Sequence, residues 1–134
     1  MSLGRVLVVD DDSDIRQSVR LILTKAGYDV IEAADGQLGV AQAKAGDNPL
    51  KLNAIVCDLQ MPNMDGMEAI PYFRAQFPSS PVIVLTGAGT VENASILFKE
   101  GVIEFLSKPV DAPLLLAAVD KAVNQSGYRD DFAT

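Results

Sequence analysis

A chain of 134 residues with 49% apolar and 22% charged side chains has the size and composition of one folded domain, not of a disordered segment. Its 11 basic and 18 acidic residues leave a formal net charge of −7, which excludes a free-standing nucleic-acid binder and disfavours an anionic membrane surface. A single Cys and no His exclude an internal disulfide, a multi-thiolate zinc site and any Ser-His-Asp or Cys-His catalyst within the chain. No apolar run approaches the roughly 18 residues that span a bilayer. The N-terminus shows no basic segment followed by an apolar one, so a cytoplasmic location without a secretion signal is expected.

Residues 1–4 read as a remnant outside the fold, 5–125 as the domain, and 126–134 as a polar, frayed tail or the start of a linker. Arg5–Val9 is a continuous β-branched run ending in acids, a buried strand. Asp12 or Ser13 can cap a helix whose face is Ile15, Val19, Ile22 and Leu23, and Gly27 stops it. Tyr28–Ala33 alternates, the pattern of an edge strand. Gly36–Ala45 is Ala-rich and helical, ended by Gly46-Asp47-Asn48-Pro49. Asn53–Asp58 is a second buried strand, after a connection that looks slightly long. Asp65 to Glu68 has the spacing of a capping box, so a helix follows, which Pro71 should kink or shorten. Pro81–Thr86 is a third buried strand. Val91–Glu100 is weakly helical, and Val102–Leu106 alternates around Glu104 as a second edge-like strand. Asp111–Asn124 is a last amphipathic helix, capped by Asp111 with Pro113 in its first turn.

Strands and helices alternate five times, which predicts an α/β domain: a five-stranded parallel sheet covered on both faces by five helices. The three apolar strands belong at the centre and the two alternating ones at the edges. That agrees with the doubly wound, flavodoxin-like order 2-1-3-4-5. Ligands of such sheets sit beyond the carboxyl ends of the strands. Those ends carry Asp10, Asp11 and Asp12, then Asp58, then Thr86, then Ser107-Lys108-Pro109. With the first and third strands adjacent, Asp10, Asp11 and Asp58 converge. At an effective dielectric of about 20, two carboxylates roughly 4 Å apart repel by about 4 kcal/mol, so the cluster should hold a proton or a cation. Oxygen-only donors favour a hard ion: Mg²⁺ first, Mn²⁺ second, Ca²⁺ less so. Lys108 adds a cation and Thr86 a hydroxyl donor, which completes a site for a phosphoryl group. A carboxylate can itself be the nucleophile, and Asp58, from the central strand, is best placed to form an aspartyl phosphate.

These pieces also carry a family resemblance. Val8-Val9-Asp10-Asp11, Cys57 through Gly66, Leu85-Thr86-Gly87 and Ser107-Lys108-Pro109 together resemble the receiver domain of two-component response regulators, the chemotaxis-regulator type, over about Arg5 to Asn124. The resemblance implies that Asp58 accepts a phosphoryl group from the phosphohistidine of a sensor kinase or phosphotransfer protein. It implies that Asp11 and Asp58 ligate Mg²⁺, with Asp10 assisting through water and the Gln60 backbone carbonyl completing the protein ligands. Thr86 would bond the phosphoryl oxygen, Lys108 would pair with it, and the Lys108–Pro109 peptide would be cis. Phe105 matches an aromatic switch position. Gln60 and Ala88 match positions that influence phosphoryl lifetime. The output face would be built from Val91–Glu100, Val102–Leu106 and Asp111–Asn124, in a monomer or a phosphorylation-dependent dimer. Such a domain catalyses only its own phosphorylation and dephosphorylation and is not an enzyme with a separate substrate.

The competing readings fit less well. A calcium loop starting at Asp10 fails, because its sixth position is Ile15 and its twelfth Leu21. Gly87-Ala88-Gly89 lacks the third glycine of a dinucleotide loop and reads as a permissive loop. An aspartate phosphatase wants Thr or Val where Asp14 stands. A flavin site needs a phosphate-cradling loop where three acids stand. Cys57 reads as a buried small hydrophobe. A receiver-like interaction module that is never phosphorylated is the remaining alternative.

Overall fold

The computed structural model describes residues 2–87 and 101–133, the side chains of 126–133 aside. Its elements are β1 (Arg5–Val9), α1 (Ser13–Lys25), β2 (Asp29–Ala33), α2 (Gly36–Lys44), α3 (Asn48–Lys51), β3 (Leu52–Cys57), α4 (Gly66–Gln76), β4 (Val82–Thr86), β5 (Val102–Ser107) and α5 (Ala112–Ala133). The five strands form one parallel sheet in the order β2-β1-β3-β4-β5. This is the expected doubly wound arrangement, with the apolar strands β1, β3 and β4 inside. The expected helix Val91–Glu100 lies outside the described residues.

Alternation along each strand sorts the core into two layers. Val6, Val8, Ala54, Val56, Ile83 and Leu85 face α1 and α5, where they meet Val19, Leu23, Leu115 and Val119. Leu7, Val9, Ile55, Cys57, Val82 and Val84 face the other way and meet Ala43, Ile70 and Phe73 of α2 and α4. Both faces are covered, so the central strands carry no alternation in sequence. On the first face, the Tyr28 hydroxyl of the β2 approach also bonds Asp120 of α5.

Helix starts follow the capping chemistry. Asp12, not Ser13, caps α1, accepting from the Asp14 and Ile15 amides. Asp65 accepts from Glu68 N–H at the start of α4. Asp35 caps α2 through a 2.8 Å bond from Leu38 N–H. That bond, joined by one from the Asn63 side chain, holds the Asp35 carboxyl below its usual range. A carboxyl depressed in the fold stabilises above its unfolded titration range and loses that contribution as pH falls through the folded value. Asp35→Asn keeps a capping oxygen and removes the titration. It is expected to flatten the acid limb of a stability–pH curve from urea melts while changing stability at pH 7 by less than about 1 kcal/mol. An acid limb identical to wild type would contradict this.

The structure adds detail at three places. The Gly46–Asn53 connection contains the helical turn α3, with Asp47 preceding it and Pro49 in its opening positions, where proline's missing N–H costs nothing. Helix α4 runs five residues past Pro71. Pro71 is exposed, so the hydrogen bond its ring cannot make is lost on the solvent side, while Ile70 and Phe73 bury the opposite face. The backbone of α5 continues to Ala133 where a frayed tail was expected, because no proline follows Pro113 to interrupt its ladder. No helix among the described residues is long and apolar enough to cross a membrane.

Candidate functional site

The carboxyl ends of β1, β3, β4 and β5 deliver the site. Asp10 N–H donates to Ala33 O at 3.1 Å and Asp58 N–H to Val9 O at 3.0 Å, so both acids leave the sheet at the same level. Lys108 N–H donates to Thr86 O at 2.8 Å and brings the β5 end over the cluster. The Lys108–Pro109 peptide is cis.

Asp58 lies at the centre and its two oxygens have different partners. Oδ1 accepts the Thr86 hydroxyl at 2.9 Å and Gln60 N–H at 3.2 Å. Oδ2 accepts Lys108 Nζ at 2.9 Å. The same Nζ lies 2.9 Å from Asp10 Oδ2, so one ammonium bridges two carboxylates. Asp10 Oδ1 accepts Asp12 N–H at 2.9 Å. Asp10 is 2% exposed, Asp58 4% and Thr86 5%, whereas Asp11 is exposed. Carboxylate oxygens of Asp10, Asp11 and Asp58 all lie within 4.8 Å of one another.

The electrostatics follow from that packing. Burial pushes the Asp10 carboxyl above its usual range, and the bonds from Lys108 and Asp12 N–H offset only part of this. Burial pulls Lys108 down, but its bonds to Asp58 and Asp10 outweigh burial and hold it above its ordinary value. The ammonium therefore stays charged, and one positive charge faces three carboxylates. The Cys57 thiol is fully buried, and burial, with Asp58 nearby, pushes its pKa far up, so it acts as a packed apolar side chain.

The structure thus brings together Asp10, Asp11, Asp58, Thr86 and Lys108. Gln60 sits two residues past Asp58 on the same loop. Phe105 is half-buried on β5, two residues before Ser107, which pairs with Thr86 across the sheet. Ala88 and Gly89 lie outside the described residues. Two contacts were not foreseen. Arg16 donates to the Asp10 carbonyl, and Asn63, in a left-handed conformation (φ 65°), donates to Asp35. Neither has a periodic signature; the capping potential of Asp35 was the one available hint.

Comparison with known proteins gives a consistent picture. Residues 6–120 match the family model of the response regulator receiver domain. The chain is 36% identical over 128 residues to the transcriptional regulatory protein GlrR of Escherichia coli (strain K12), covering 96% of this chain and 28% of that protein. It is 33% identical over 123 residues to the transcriptional regulatory protein FixJ of Bradyrhizobium diazoefficiens, covering 92% of this chain and 58% of that one. It therefore spans about a quarter to just over half of these relatives. Among solved structures it resembles a response regulator receiver domain protein from Clostridium thermocellum, with 31% identity, a TM-score of 0.84 and coverage of 98% and 99% of the two chains. A CheY-like receiver domain protein from Methanospirillum hungatei JF-1 superposes with a TM-score of 0.85 at 29% identity, covering 96% and 99%.

Proposed function

Since the chain belongs to the response regulator receiver-domain family of two-component signalling, we propose that it is a phosphoacceptor switch in which Asp58 takes a phosphoryl group from a phosphohistidine on a partner kinase or phosphotransfer protein. The observation that carries the reading is the convergence on Asp58 of a hydroxyl at 2.9 Å, an ammonium at 2.9 Å and two further carboxylates. An Asp58 oxygen attacks phosphorus and the P–N bond breaks. With the ring's other nitrogen protonated, the imidazole leaves neutral. Lys108 and Thr86 already donate to Asp58, and in the product the same two groups donate to the phosphoryl oxygens.

The donor set fits a hard divalent cation, being all oxygen, half-sequestered and under-neutralised by its single lysine. Asp11, Asp58 and the Gln60 carbonyl would hold Mg²⁺, or Mn²⁺ in its place, with Asp10 assisting. The ion would offset negative charge as the phosphoryl group arrives. Phosphorylation adds roughly −1.5 to −2 charges by analogy with phosphoserine. Thr86 turns toward the new oxygens, and Phe105, which pairs with Val84 two residues before Thr86, responds to the space it leaves. The changed surface around β5 and α5 is what an output partner reads. In this reading the chain is a cytoplasmic regulatory domain that transfers phosphate only to and from itself.

Intact mass spectrometry tests this directly. Wild type incubated with acetyl phosphate and Mg²⁺ is expected to gain one phosphoryl mass, and a chelator should abolish the gain. No gain, with phosphorylated kinases offered as well, would overturn the reading and leave an interaction module.

A further inference from the structure

The peptide between Asp10 and Asp11 is held by a side chain other than Lys108. Its carbonyl oxygen, that of Asp10, accepts Arg16 Nη1 at 2.6 Å. Arg16 stands on α1, its side chain 19% exposed, with Nε 3.5 Å from Glu32 Oε1 on β2. The second oxygen of Glu32 accepts Arg20 Nη1 at 2.7 Å, so β2 and α1 hold the guanidinium in place. The Asp10 amide is tied to Ala33 O, the residue next to Glu32. Asp12 on the far side is locked as the cap of α1.

A peptide unit is planar, so holding the Asp10 carbonyl also sets the direction in which the Asp11 N–Cα bond leaves. Asp11 is exposed, so its backbone direction does much to set where its carboxylate lies. We infer that Arg16, braced by Glu32, is a positioning residue for the acidic cluster: it sets the Asp10–Asp11 peptide plane and so presents the Asp11 carboxylate toward Asp58 for a divalent cation. This rests on the metal-binding reading above.

Charge and position predict opposite signs. Removing a cation bonded to the Asp10 carbonyl, and so near the acidic cluster, would by Coulomb's law tighten Mg²⁺ binding. Removing the group that orients a ligand weakens it. Titration calorimetry with Mg²⁺ alone, well below the melting midpoint, on wild type, Arg16→Met and Arg16→Lys decides between them. Expected is about tenfold weaker binding for Arg16→Met and roughly threefold for Arg16→Lys, which keeps the charge but loses the fork to Asp10 and Glu32. Arg16→Lys also serves if Arg16→Met does not fold, as judged by circular dichroism. An unchanged or tighter Kd in the variants, with wild type binding normally, overturns the role of Arg16 alone, and a lowered melting midpoint with unchanged Kd marks a merely structural ion pair. Failure of wild type to bind Mg²⁺ overturns the metal-binding reading together with this inference.

Discussion

Asp58→Asn is expected to gain no phosphoryl mass from acetyl phosphate and Mg²⁺ under conditions where wild type gains one, and to melt at a higher temperature than wild type in a chelator. The first result follows from chemistry, because an amide oxygen is a poor nucleophile and no other carboxylate receives both the Thr86 and the Lys108 donors. The second follows from electrostatics. The variant loses one attraction, to Lys108 at 2.9 Å. It sheds repulsion from two carboxylates within 4.8 Å and the desolvation of a carboxylate that is 4% exposed. At these separations the single attraction and the two repulsions nearly cancel, so desolvation decides the sign. The gain should be about 1 kcal/mol, or roughly 4 °C for a domain of this size. A variant still phosphorylated once would move the acceptor elsewhere, and a lower melting midpoint would mean that pairing with Lys108 dominates.

Gly66→Ala should destabilise the fold by about 3 kcal/mol, at the upper end for overpacking. Helix propensity alone predicts the reverse, since alanine is favoured over glycine within a helix by about 1 kcal/mol. The contacts explain the reversal. A Cβ at Gly66 would lie 2.3 Å from the Asp58 carbonyl oxygen and 2.8 Å from Leu59 Cα. Both are backbone atoms that cannot rotate away. Gly66 N–H also donates to Leu59 O at 3.0 Å, so the start of α4 is pinned against the strand end it would have to leave. Relief of the clash would displace the segment carrying Asp58 and Gln60, so Mg²⁺ affinity should fall together with stability. Urea unfolding of the metal-free protein reads the first effect and a Mg²⁺ titration the second. A stability equal to or above wild type would show that the backbone yields without strain.

Most of the element map was readable because it is written in local chemistry. Unbroken runs such as Val6–Val9 and Ile83–Leu85 leave no polar face and demand a sheet covered on both sides. Asp12, Asp35, Asp65 and Asp111 stand where a short carboxylate satisfies free helix N–H groups. The expectations that failed were also local ones. Pro71 was expected to kink or shorten its helix and the polar tail to fray, yet the helix runs on past a proline on its solvent face and the backbone of α5 continues through the polar stretch. The turn α3 is only four residues long, too short for a periodic pattern.

By itself the sequence determined which residues stand at the strand ends, and with them the chemistry on offer, including the carboxylates of Asp10, Asp11 and Asp58, the Thr86 hydroxyl and Lys108. It also indicated which strands are central and which are edges, since the apolar strands must be covered on both faces, and this agrees with the order β2-β1-β3-β4-β5 of the structure. Only the tertiary structure decided how those groups divide their roles. Asp10 and Asp58 are buried beneath a lysine donated from 50 residues beyond Asp58, while Asp11, adjacent in sequence to Asp10, stays in solvent. Arg16 reaches back to the Asp10 carbonyl, and Gly66 is required by a backbone approach that no side-chain pattern records. The physical reason is the same in each case. Burial, desolvation and the partners of a charge depend on what distant strands bring within about 4 Å, whereas capping and strand alternation depend only on neighbours along the chain.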